Sequence, residues 1–157
     1  MAEPAAILGI VDRIIELVQT IDGDETEWRS GVRYAGRFIG AADLDRPRPA
    51  VMVEASVDEG ELIAQSSGYY EAVPLDIVGL VKHPTDPQGA AHDLARDLKK
   101  LVRANPTIIA RDGTRLATDW RERGTAVVVV DPDLSGSGGA QVTIPTRLLY
   151  VTTDAAP

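Results

Sequence analysis

Apolar positions recur at helical spacing in two stretches of this chain and at strand spacing in much of the remainder. Residues 5–21 (AAILGIVDRIIELVQTI) place Ile7, Val11, Ile14, Ile15, Val18 and Ile21 on one stripe and Asp12, Arg13, Glu16, Gln19 and Thr20 on the other. That is the periodicity of an amphipathic helix, and Pro4 suits its first turn. Ile10 and Leu17 widen the apolar arc. The width fits a helix sunk deeply into its own core, or one also covered by a neighbouring subunit. A second helix spans 87–104. Thr85 or Asp86 can cap it, and Pro87 suits its first turn. Ala90, Ala91, Leu94, Leu98, Leu101 and Val102 form its inner face, and Asn105-Pro106 stops it. Asp93 lies early, while Lys99, Lys100 and Arg103 lie late, in accord with the helix dipole.

Between and after the helices the pattern shortens to strands. Residues 32–39 and 50–56 read as two strands separated by a turn around Pro47 and Pro49. The strand at 69–82 alternates, with Val73, Leu75 and Ile77 facing one way and Glu71 and Asp76 the other. It becomes apolar on both faces at Val78, Leu80 and Val81, as in a sheet partly overlaid by a helix. Residues 57–68 (VDEGELIAQSSG) read as an acidic, flexible connection. In 107–124, Asp112-Gly113 can turn a hairpin and Arg115–Trp120 can form a short strand. Two further strands, 126–130 and 141–152, flank the loop DPDLSGSGGA. The order is helix, strands, helix, strands, without βαβ alternation. It predicts a single α+β domain over 1–157: an antiparallel or mixed sheet of about four to five strands, with two helices packed mainly on one face.

Composition narrows the classes. Hydrophobic residues make up 44% but aromatics only 4%, so the core must be aliphatic. There are no cysteines, which removes disulfides, thiolate zinc sites and cysteine nucleophiles. The net charge of -8 argues against non-specific binding to a nucleic-acid backbone. The acid is uneven: residues 1–65 hold 13 Asp/Glu against 6 Lys/Arg, and residues 66–157 hold 11 against 10. No targeting segment and no membrane-spanning run is expected.

The candidate chemistry is thin. Asp131, Asp133 and Ser135 with Gly136 imitate the start of a calcium loop, but the bidentate Glu due at its twelfth position is Val142. His83 and His92 read as surface or capping residues; Asp86 or Asp93 would have to complete a zinc site. Asp22/Asp24 and Asp43/Asp45 lie in polar loops that do not promise burial. Arg111, Arg115, Arg121 and Arg123 form one basic cluster, largely neutralised by Asp112, Asp119 and Glu122. No nucleophile elbow or phosphate-binding glycine motif occurs. The expectation is a protein without enzymatic activity or cofactor.

The order of elements carries a resemblance. An aliphatic N-terminal helix precedes a strand after a proline pair (RPRPAVMVEA). Then come the long strand around PLDIVGLV, the helix DPQGAAHDLARDLKKLVRANPT and the closing strand VTIPTRLLYVTT. This resembles the tail terminator (tail completion or minor tail) proteins of long-tailed bacteriophages. The 107–124 segment and the DPDLSGSGGA loop depart from the pattern. The resemblance implies a virion protein, assembled in the host cytoplasm. It would form a hexameric ring at the head-proximal end of the tail tube. Its partners would be itself, the tail tube protein and a head-side connector or stopper protein, with passing contact with DNA in the lumen and none with a membrane. Ile10, Leu17, Glu59, Glu61, Asp131, Asp133, Leu134 and Ser135 are the expected subunit or tube interface, the last six on loops (57–68 and 131–140) expected to be mobile in the free subunit. The alternatives are a neck or head–tail connector protein of the same particle and a non-viral small binding module.

Overall fold

The computed structural model describes residues 3–24, 26–40, 43, 45–56, 61–65, 68–130 and 139–151, with side chains described for these except 3–6, 61–65, 68–69 and 151. In chain order the elements are α1 (Glu3–Val18), β1 (Tyr34–Arg37), β2 (Ala50–Ala55), β3 (Glu61–Gln65), β4 (Gly68–Lys82), α2 (Pro87–Ala104), β5 (Ile108–Ile109), β6 (Arg115–Glu122), β7 (Val127–Val130) and β8 (Gly139–Val151). The two longest strands, β4 and β8, pair antiparallel from Tyr70↔Val151 to Lys82↔Gly139 and form the spine of the sheet. On the far edge of β4 lie β2 and then β3; on the far edge of β8 lie β7 and then β6. β1 joins β2 in parallel and β5 joins β6, so the sheet is mixed.

The α+β class holds, but among the described residues the sheet has eight strands, more than the four to five that the apolar pattern predicts. Two of the extra strands have physical causes that hide them. β3 lies inside the acidic stretch 57–68, where Glu61–Gln65 pairs back on Ala72–Gly68 as a hairpin instead of remaining a connection. β5 is two residues long. It meets β6 through a turn in which Gly113 N donates to Ala110 O and Ala110 N to Thr114 O. Gly113 has φ +91 there, the left-handed residue that such a turn requires.

Two prolines explain why each flank of the spine comes in two pieces. Ser56 N donates to Pro74 O, and Arg123 N donates to Pro145 O. In an antiparallel strand a residue's C=O and N–H serve the same neighbour. The missing N–H of each proline therefore faces the flanking strand and leaves the β4–β8 ladder intact. At those points β2 ends at Ala55 and β6 ends at Glu122.

Both helices pack on one face. α2 lies over β4 and β8, and α1 over β1 and β2. Their apolar stripes meet Val51, Val53, Val73, Leu75, Ile77, Val142, Ile144 and Leu148 in one core. α2 spans the predicted residues. Asp86 is its cap, its Oδ1 accepting from Gly89 N at 2.9 Å, and Asn105 N closes it onto Val102 O. Gly79 lets α2 approach: a Cβ there would stand 2.6 Å from Leu94 Cδ2 and 2.8 Å from Val142 Cγ1. Asp97, only 2% exposed, fastens α2 to the loop between α1 and β1 by accepting from Arg29 N (3.1 and 3.0 Å) and Ser30 N (2.6 Å). Glu71 corrects the expected alternation of β4. It shares the helix-side face with Val73, at the end of the sheet, and accepts from the Tyr150 hydroxyl at 2.9 Å.

Candidate functional site

The side chains with possible chemistry are mostly engaged in holding the fold. His83 Nδ1 accepts from Asp86 N at 2.9 Å and from Thr85 N at 3.2 Å, which orders the approach to α2. It shares a polar cleft of about 620 Å³ with His92, Asp86 and Asp93. Asp86 is the helix cap and Asp93 pairs with Arg29 at 3.5 Å. Among the described residues no three His, Asp or Glu side chains converge on a metal position. The calcium-like residues Asp131, Asp133, Ser135 and Gly136 lie outside the described residues.

The loop carboxylates serve turns. Asp24 accepts from Thr26 N and Thr26 Oγ1, which holds its carboxyl below the usual carboxylate range. Asp43 departs from expectation, for it is 2% exposed and accepts from Ile39 N and Gly40 N. The basic cluster is salt-bridged in part. Arg121 pairs with Asp119 at 3.4 Å and Glu122 pairs with Arg103 of α2 at 2.9 Å. Arg111 reaches Glu16 of α1 at 3.0 Å. Asp112, expected to neutralise an arginine, instead accepts from Thr114 N in the β5–β6 turn, and this hydrogen bond lowers its pKa.

The expected interface residues divide three ways. Ile10 is 2% exposed and belongs to the chain's own core, so the wide arc of α1 is used within the subunit at this point. Leu17 is half-buried and packs against the same core. Glu61 opens β3, opposite Ala72. Glu59, Asp131, Asp133, Leu134 and Ser135 lie outside the described residues.

The sheet face away from the helices carries a second, smaller set of apolar residues. Cross-strand register puts Tyr34, Ala50, Leu80, Gln141 and Val129 in one row there, and Gly36, Met52, Val78, Thr143 and Val127 in the next. Ala50, Met52, Val78 and Leu80 make a small second core, against which Tyr34 packs. This explains the stretch of β4 that is apolar on both faces. The side chain of Arg46 stacks on the Tyr34 ring, 4.5 Å from its centroid. A groove of about 490 Å³, bordered by Phe38, Asp43 and Glu54, runs beside this floor, whose Ala50, Met52 and Leu80 are themselves buried. Phe38 is 43% exposed, Val127 54% and Val129 46%.

A charged row borders the apolar ones. Glu54 stands directly opposite Asp76, and Asp76 opposite Pro145. Arg123 bonds to the far side of Pro145. Neither Glu54 nor Asp76 has a cation in ion-pair contact among the described residues. One row further, Arg147 and Arg121 stand opposite one another and share Asp119, at 3.7 and 3.4 Å. Arg147 Nε is buried without an acceptor among the described residues. Sequence reasoning found the apolar residues of this face but not their alignment, which depends on partners distant in the chain. The arrangement offers apolar contact and charge pairing. No helix among the described residues is long and apolar enough to cross a membrane. Compared with known proteins, the chain matches no family model and no curated sequence.

Proposed function

We propose that this protein is a structural subunit of a phage tail. It closes into a ring on the head-proximal end of the tail tube, stops tube growth and presents the surface on which the head is joined. The order of elements from the aliphatic N-terminal helix to the closing strand supports this reading through its resemblance to tail terminators. The single structural observation that carries it is the outer sheet face, where an aliphatic floor ends in exposed Phe38, Val127 and Val129. Large exposed apolar groups on one face mark a surface that another protein covers. The role needs no catalytic group, no cofactor and no membrane contact. Ring closure needs a heterologous interface, in which one patch meets a different patch on the next copy.

The test is direct. The purified protein is imaged by negative-stain electron microscopy, and a phage lacking this gene is complemented with it. Closed rings, with tails restored to uniform length and joined to heads, are the expected result. A protein that stays monomeric at all concentrations and fails to rescue tail length sinks the reading.

A further inference from the structure

We propose that the outer sheet face is the surface by which one copy of this chain docks on the next, the acidic half of one face meeting the basic half of its neighbour. The inference rests on the ring reading above and assigns it an interface.

The charges on this face are poorly matched within one subunit. Glu54 and Asp76 are direct cross-strand neighbours of like sign, an arrangement that disfavours the isolated sheet. On the other side of β8, Arg121 and Arg147 share one carboxylate, and Arg147 Nε has no acceptor among the described residues. Arg123 is exposed and has no carboxylate in contact among the described residues. Each half lacks what the other carries. Among the described residues they do not pair within the subunit, and Pro145 stands between Asp76 and Arg123. At about 4.8 Å per strand, the two backbone positions are about 10 Å apart. A second copy removes the mismatch by laying carboxylates on guanidinium groups, while Phe38, Val127 and Val129 supply the apolar contact beside them. The two halves are different patches of opposite sign, so the acidic one on one copy can meet the basic one on the next in a heterologous contact, and that is why a second copy is the occupant assigned. A nucleic acid would meet the same acidic pair on a chain of net charge -8.

The test exploits this complementarity. Glu54→Arg puts a cation into the acidic half; Arg123→Glu puts a carboxylate into the basic half. Both positions are exposed, so each variant should melt as the wild type does, and Glu54→Arg somewhat higher, since it places a cation opposite Asp76. Association is followed by sedimentation velocity and electron microscopy. Each variant alone should associate at least about tenfold more weakly than wild type, the scale of like-charge contact at an interface. An equimolar mixture should restore assembly, because every contact in an alternating ring then pairs opposite signs. If wild type forms rings and the single variants form them equally well, or the mixture fails to restore them, the assigned surface is wrong while the ring reading stands. If wild type never associates, both fall. Should a charge variant lose its melting transition, Val127→Asp on the same face replaces it. It should melt normally and associate about tenfold more weakly, and unchanged association would overturn the proposal.

Discussion

Two carboxylates show how differently single acids act in this fold. Asp97 sits on a helix otherwise patterned as inner apolar and outer polar, and the inner face read from the sequence does not include it. Its carboxylate is instead buried against the N–H groups of Arg29 and Ser30. Nothing local reveals this, because the partners are backbone groups of a distant loop. Asp97→Ala leaves those donors without an acceptor and should cost about 2–3 kcal/mol in a denaturant titration, as is usual for hydrogen bonds to charged groups. Glu16 is the exposed counterpart. Hydrogen bonds from Arg13 first, and then Arg111, hold its carboxyl below the usual 4.5. A depressed native pKa means that the unfolded state binds the proton more readily. The contribution is therefore complete above the ordinary value and disappears as pH falls through the lowered one. Glu16→Gln should flatten the dependence of the denaturation midpoint on pH between about 5 and 3, and an unchanged slope would show that the pairing is without thermodynamic weight.

At the scale of elements, α2 was legible because every level of its sequence agrees: the Asp86 cap, Pro87, the apolar stripe and the Asn105-Pro106 stop. Its contact with the sheet rests on Leu94 and Leu98, both fully buried, over the space left by Gly79. Leu94→Ala or Leu98→Ala should lower stability by about 2–5 kcal/mol, as large-to-small core changes do. Gly79→Ala should cost about 1–3 kcal/mol through overpacking. If all three keep wild-type denaturant midpoints, the core is misplaced. The long strands were legible as well, since apolar alternation survives along β4 and β8. The flanking strands were less so. β3 carries Glu61 and follows an acidic glycine-containing stretch, and β6 is parted from β7 by Arg123-Gly124-Thr125-Ala126, in which one alanine is the sole apolar residue. The outer face was visible only in part. Val78 and Leu80 signal a second covered face, but Tyr34 and Met52 reach it through pairings that no local pattern encodes.

For the whole molecule, the alignment of the β4–β8 spine decides everything else, because every other strand is placed by it directly or through a neighbour. Pro74 and Pro145 bear on how that alignment is found during folding. A shift of one residue between the two strands would turn one of them over. If β4 turned, Val73, Leu75 and Ile77 would leave the core, and the blank nitrogen of Pro74 would rotate from the flank into the ladder. If β8 turned, Pro145 would do the same. The misaligned spine would therefore lose a hydrogen bond at its middle as well as its apolar contacts. A hairpin or meander draws its alignment from a short turn, but these strands are separated by a helix and three strands and have no such guide. The two prolines supply it from within, acting as keys that let the spine close in one phase only.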